Sequence, residues 1–366
     1  MVWITQGNTP DEYNQHETPY QTQYGRWNGL VSRHPVLRQI IEIRAASVFS
    51  SWTVKGAHEK AATKMLNKIE GRNGETFKQI MSNMYKIAYK CGDAYAEKIY
   101  EDDDPDKELI GLHILPSDNI RQIIKKGVII RYEEIDGNAK WEDDKWKIFH
   151  IRYNPCGAMT HGLGMVESMN NILVSREQLM TIGQEIYERM SRPRELILAK
   201  TDNKEKLNML RDAIKDAGDT WSGIAVLPSS MIDKIEDIQL SVSLKPQEFI
   251  EYLDKDMFKA TATPEIVLGT GYSTSEEDAK TRIAGFMGSI RYDQEDWEEA
   301  VRRQIFEEMW PTNPPEIEFS FTQEAYDAMY NRVMSAMPVV ESLQTVAPEN
   351  KELLIKEMLK ETGRIT

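Results

Sequence analysis

The sequence predicts an α+β fold in which a small α/β unit is set between two helices. Three features carry that prediction. Apolar residues recur at helical spacing in discrete blocks, as at Leu37, Ile40, Ile41, Ala45, Val48 and Phe49. Residues 93 to 153 read instead as a succession of short strands separated by turn residues. Residues 193 to 245 hold strand-like runs around one helical run, and Pro193 and Pro246 mark the helix boundaries on either side.

Residues 1 to 33 are polar, rich in Tyr, Gln and Asn, and show little periodicity. They read as an extended arm that needs a partner surface to order, with Tyr13, Tyr20, Tyr24 and Trp27 suited to packing on a neighbouring copy. The body is expected to begin near His34 with a helix that runs out into a strand at Trp52 to Val54. A second helix is expected over 75 to 91, where Phe77, Ile80, Met81, Met84, Ile87 and Ala88 form one stripe, and Gly92 passes the chain into a strand. Strands follow in "AYAEKIY", "LIGLHIL", "NIRQIIKKGVIIRYEEI" around a turn at Lys126 and Gly127, and "WKIFHIRY". The acidic insert "EDDDPDKE" at 101 to 108 lacks the glycine and closing glutamate of a calcium loop and reads as a solvated hairpin tip.

A loop carrying Gly157, Gly162 and Gly164 then opens a helix from about Val166 to Met190, roughly 37 Å of rod at 1.5 Å per residue. The α/β unit follows as strand "RELILAK", a helix over 203 to 217, strand "GIAVL" and strand "MIDKIEDIQLSVS". Trp221 sits beside Gly218 and Gly223 in a turn of this unit, as either an exposed anchor for a partner or a lid on the unit's own core. A helix from Pro246 through Ala262 closes it. The longest helix is expected from Thr274 to Met309, about 54 Å, and Gly285 and Gly288 inside it each cost about 1 kcal/mol relative to alanine, so a bend is expected there. Strand "EIEFSF" and two further helices, over 322 to 337 and 349 to 361, complete the chain.

Composition excludes several classes of function. The chain has 366 residues, 40% hydrophobic and 28% charged, enough to bury a sizeable core in two or three subdomains. Cys91 and Cys156 are too few for a disulfide framework, so a reducing intracellular setting is expected. The six histidines lack metal-ligand spacing, so no metal and no cofactor is expected, and each histidine reads as structural. No secretion signal and no membrane-spanning run is expected. A formal net charge of −14 argues against a protein that grips nucleic acid over a broad basic face, but not against one that lets DNA slide past. No nucleophile with a base and no convergent carboxylates stand out, and an enzyme is not expected.

The stretch "GTGYSTSEEDAKTRIAGF", residues 269 to 286, begins like a phosphate-gripping loop. It has no lysine beside its hydroxyl residues, as a Walker loop requires, and no buried strand before it, as a dinucleotide fold requires. It reads as an exposed loop held at its far end by a helix start, where Thr274 and Glu277 fit a capping box.

In the order of its elements the chain resembles the portal proteins of tailed bacteriophages and related archaeal viruses. "YKCGDAYAEKIY" is similar to that family's helix, glycine and strand element, and "ILPSDNIRQI" to a strand after a proline turn. "FHIRYNPCGAMTHGLGMVESMNNIL" is similar to the approach to the first stem helix, and "FKATATPEIVLGTGYSTSEEDAK" to the second stem helix and tunnel loop. The resemblance implies a dodecameric ring at one capsid vertex whose channel passes double-stranded genomic DNA. It implies contacts with further copies of itself, the major capsid protein, the terminase large subunit and a head–tail adaptor, and a place in the virion after assembly in the host cytoplasm. It implies an N-terminal arm over 1 to 33, a wing over 34 to 165 and 278 to 338, stem helices over 166 to 192 and 246 to 268, a clip over 193 to 245 and a short crown over 339 to 366. Residues 269 to 277 would then be the tunnel loop, with Thr270, Gly271, Tyr272, Ser273, Thr274 and Ser275 facing DNA and Gly285 and Gly288 as a helix hinge. Lys255 and Lys259 are candidates to line the channel, although Glu251 and Asp256 lie at helix-pair spacing from them, and Trp221 is a candidate partner contact of the clip. Another ring-forming head–tail adaptor, or a head-associated hydrolase or nuclease, are the alternatives.

Overall fold

The computed structural model describes residues 14–16, 24–103, 108–125, 127–135, 140–141, 145–155, 157, 159–191, 195–199, 203–219, 232–237, 246–268 and 276–321. The expected strand at 223 to 227 and the helices over 322 to 337 and 349 to 361 lie outside them. The chain divides into two compact units, one of residues 1–173 with 254–366 and one of residues 174–253.

The first unit opens with a short strand β1 (Asn14–His16) and helices α1 (Tyr24–Arg33) and α2 (Pro35–Val48). The expectation that residues up to 33 form an arm without a home in the chain fails for α1. Tyr24, Trp27 and Leu30 of that helix are each no more than 2% exposed and belong to the main core of the same chain. The spacing of these three residues is itself helical, and the polar residues between them hid it.

Strand β2 (Ser51–Lys55) and helices α3 (Glu59–Lys68) and α4 (Phe77–Cys91) follow. Thr76 and Gln79 form a reciprocal capping box at the start of α4, and Gly92 at φ +93° ends the helix. A side chain at Gly92 would also strike the backbone carbonyl of Gly162, at 2.3 Å from its oxygen, so glycine is required there twice over. Strand β3 (Asp93–Tyr100) pairs antiparallel with β4 (Leu109–Leu115), and Glu101 N–H donates to the Glu108 carbonyl at 3.0 Å across the ends of the acidic segment, whose residues 104–107 lie outside the described ones. Strands β5 (Ile120–Lys125), β6 (Val128–Glu134) and β7 (Lys140–Trp141) form a second sheet in the order β1-β5-β6-β7, and β8 (Ile148–Arg152) returns to β3.

The predicted helix from Val166 is divided at Met169 into α5 (Met165–Ser168) and α6 (Asn170–Ser191). In the second unit, β9 (Glu195–Ala199) pairs antiparallel with β10 (Ile232–Asp237), and α7 (Lys204–Asp219) lies between them in sequence. That unit takes in most of α6 and of α8 (Pro246–Ala260) besides the residues expected to form a clip.

Helix α9 (Glu276–Val301) returns the chain to the first unit. It runs uninterrupted through Gly285 and Gly288. A π-helical turn follows at Arg302–Phe306, before α10 (Glu307–Met309) and strand β11 (Glu316–Ser320), which pairs with β2. At this turn a buried side chain from β3 meets the helix backbone. The Lys98 side chain on β3 is fully buried and donates to the Gln304 carbonyl at 2.8 Å and to the Glu308 carboxylate. Gln304 in turn accepts from the His150 backbone N–H and donates to its carbonyl, both at 2.8 Å, so its amide completes the open edge of β8.

The core joins the two ends of this unit. Phe49 sits edge-on to Trp297 of α9 at 5.1 Å and to Phe319 of β11 at 4.9 Å. Each fully buried aromatic of this kind stabilises the fold by roughly 1.5–3 kcal/mol.

Candidate functional site

The connection between α8 and α9 forms a base tied into the core on both sides of residues 269–275, which lie outside the described residues. Helix α8 ends in a Schellman motif: Thr263 N–H donates to the Phe258 carbonyl at 3.1 Å and Ala262 N–H to the Lys259 carbonyl at 3.1 Å. Ala262 takes the left-handed position at φ +49°, where glycine is usual, at a cost of about 1–2 kcal/mol. Pro264 follows, and the next turn inserts Ile266, Val267 and Leu268 into the core. Ala279 and Ile283 anchor α9 in the same core beyond the loop.

Arg44 of α2 locks this base. Its guanidinium donates to the Thr261 carbonyl at 2.9 Å, to Ser289 Oγ at 3.2 Å, to Tyr85 Oη at 3.2 Å and to Asp293 Oδ2 at 2.7 Å. Tyr85 Oη donates to the same Asp293 oxygen. Helices α2, α4 and α9 and the end of α8 are thereby tied at one buried point. Burial opposes the Arg44 charge, but Tyr85, Tyr89 and Asp293 hold its pKa above the ordinary value.

Beside this base lies an open groove of about 690 Å³ lined by Lys255, Lys259, Arg282, Glu265, Gly285 and Phe286, among others. Lys259 is three-quarters exposed and pairs with Asp256 at 3.3 Å, the helix-spaced pairing expected for it. Lys255 is exposed on the same helix. The structure thus brings Lys255, Lys259 and Gly285 to one groove, while Gly288 lies exposed further along α9. A side chain added at Gly285 or at Gly288 would meet nothing within 4 Å. Thr270, Gly271, Tyr272, Ser273, Thr274 and Ser275, and also Trp221, lie outside the described residues.

Two buried polar clusters were not anticipated from the sequence. Arg44 and Asp293 each stand at helical spacing within an apolar stripe, Leu37, Ile41, Arg44 and Val48 in one and Phe286, Ile290, Asp293 and Trp297 in the other. A charge inside such a stripe is the signal that finds them. The second cluster joins Asp93, His150 and His161, far apart in sequence and brought together by the pairing of β3 with β8.

Among the described residues no group of three acidic, histidine or cysteine residues is placed to hold a metal ion, and no helix is long and apolar enough to cross a membrane. Cys91 is buried, which pushes its thiol up to about 12.

No protein-family pattern matches the sequence, and no curated protein matches it. Solved structures do. A chain in the neck of a native gene transfer agent particle, computed with C12 symmetry, is 14% identical over 94% of this chain and 96% of its own, with a TM-score of 0.66. A chain of the native gene transfer agent virion is 13% identical over 93% and 95%, with a TM-score of 0.65. An HK97-family phage portal protein from Corynebacterium diphtheriae is 11% identical over 79% of this chain and 95% of its own, with a TM-score of 0.51. The chain shares the fold of a phage portal protein.

Proposed function

We propose that this chain is the subunit of a portal ring, a head–tail connector at one capsid vertex through whose axial channel double-stranded DNA passes during packaging and ejection. The observation that carries this reading is the end-to-end likeness to a chain in a particle neck of C12 symmetry. A dodecamer of this chain is the matching assembly, formed in the host cytoplasm and retained in the virion.

Within the ring, residues 269 to 277 form the loop that faces the channel, on the base that Arg44 locks. The groove beneath it presents Lys255, Lys259 and Arg282 against Glu265, a modest positive excess in a chain of net charge −14. Such a surface touches phosphates without arresting the duplex, because each neutralised phosphate adds to the barrier against sliding. Residues 193 to 245, with Trp221, form the clip that meets the terminase large subunit and later the head–tail adaptor, and the outer face of the ring meets the major capsid protein.

Negative-stain images of the purified chain provide the test. Rings with an axial hole are the expected result. A chain that remains monomeric under assembly conditions overturns the reading, and rings without paired helices in the stem favour a different head–tail adaptor.

A further inference from the structure

Asp93 is fully buried at the start of β3 and gathers ties from three directions. Oδ1 accepts from His150 Nε2 at 2.8 Å and from the Gly162 backbone N–H at 3.2 Å, and Oδ2 accepts from His161 Nδ1 at 3.3 Å. His150 Nδ1 then accepts from Tyr132 Oη at 3.2 Å, which assigns the neutral tautomer with its proton on Nε2. His161 and Gly162 belong to the segment between β8 and α5, so this carboxylate holds the lead-in to the helix that becomes α6.

We propose that Asp93, His150 and His161 form a proton-sensitive clasp on residues 153 to 164, which mild acid releases while the core around α4 stays folded. The asymmetry of the site supports this. One buried carboxylate balances one imidazolium, and two imidazoliums leave a net positive charge in the interior. Among the described residues His161 Nε2 is buried without a hydrogen-bond partner. Among the described residues no second anion is paired with either imidazole. Tyr95 stacks on the His150 ring at 4.5 Å, Tyr132 stays a neutral phenol, Arg152 on β8 repels a charged His150, Cys91 is a neutral thiol, and Lys90 adds positive charge on α4. Asp118 lies near Cys91.

The sign follows from the two groups that shift. Burial lowers the His150 pKa, against its hydrogen bond to Asp93, so the closed site disfavours a proton that the open segment takes up at the ordinary value of 6.5. Stability of the closed clasp is therefore complete above that pH and declines as pH falls below it. Burial works to raise Asp93, but the hydrogen bonds from His150 and His161 prevail and hold it below 3.8, so its contribution is lost only in stronger acid.

Hydrogen exchange of the full chain at about pH 7.5 and about pH 5.5, corrected for intrinsic exchange, reads the clasp directly. With one proton taken up on opening, exposure of peptides spanning 153 to 168 should rise by up to about tenfold per pH unit below 6.5, while peptides from α4 keep their protection. His150→Gln, which can still donate to Asp93, should flatten that dependence. Equal protection at both pH values, or parallel loss in α4, overturns the proposal. Should His150→Gln fail to fold, a histidine C2-proton titration of the wild-type chain decides: proton uptake by His150 without opening of 153 to 168 overturns it as well.

Discussion

The two compact units bury their side chains to different ends. In the first, charged and polar groups are drawn inside and cross-linked, as at Arg44 with Asp293 and at Lys98 with Glu308 and Gln304. Among the described residues of the second, which is far shorter, Met180, Ile182, Met209, Phe249 and Tyr252 are each about half exposed or more, against Val128 and Tyr292 in the first. A buried network fixes one geometry, because each partner left unpaired carries a desolvation penalty, whereas an exposed apolar face gains free energy only when something covers it. The first unit is thus a rigid frame, and the second presents surface.

The sharpest way to break this contrast is at Arg44. Arg44→Met leaves the Asp293 carboxylate buried with only Tyr85 to donate to it, and should destabilise the chain by about 3–5 kcal/mol. Arg44→Met with Asp293→Leu should recover part of that loss and not all, since the Thr261 carbonyl keeps only the Thr263 hydroxyl of its two donors and Tyr85 and Ser289 lose their Arg44 partner. Chemical denaturation of the three chains measures both steps, and a single variant within 1 kcal/mol of wild type, on the order of an exposed pair, removes the distinction.

Next in size is Gln304→Ala, which takes both side-chain hydrogen bonds from the His150 backbone and reopens the β8 edge, with an expected loss of about 1–3 kcal/mol. Retention of the π turn in the variant, read by hydrogen exchange at Arg302 to Phe306, would show that Lys98 alone sustains it.

Gly285→Ala with Gly288→Ala should move stability the other way. Both positions are helical with open space at the missing Cβ, so the change should add up to about 1 kcal/mol per site. In the proposed ring the stiffer helix restricts the loop over 269 to 275, so DNA retained per particle should fall at unchanged ring yield. Full genomes in the variant particles would separate the glycines from any hinge role.

Much of the frame was legible in the sequence, because period and punctuation both act locally. The helix over 75 to 91, the turn through Gly92, and the strands on either side of the acidic segment follow from residues within a few positions of one another. Helix α1 was missed because Tyr24, Trp27 and Leu30 are separated by polar and glycine residues that mask the stripe. The π turn, the Arg44 lock and the Asp93 cluster were missed for another reason. Each is specified by partners more than fifty positions apart, such as Lys98 with Gln304 or Asp93 with His150, and no local pattern encodes such a meeting. For the groove, the sequence marked Lys255 and Lys259, but Arg282 joined them only through the fold.

The smallest effect on folding is expected where the second unit shows its apolar face. Phe249 and Tyr252 stand one helical turn apart on α8, their rings 6.0 Å from each other and each just over half exposed. Replacing both by serine removes little that is buried within the chain, so its melting temperature should hold, with a stability change within about 0.5 kcal/mol. In the proposed ring of identical copies, a neighbouring subunit is one surface that could cover these residues. Covering two aromatic side chains there contributes on the order of 1–2 kcal/mol each, at every interface of the ring. Phe249→Ser with Tyr252→Ser should therefore leave a folded monomer and sharply lower the yield of rings by size-exclusion chromatography with light scattering. A drop in melting temperature that parallels the loss of rings would mean that these side chains serve the fold of the second unit; unchanged rings would leave the exposed face to a partner other than this chain.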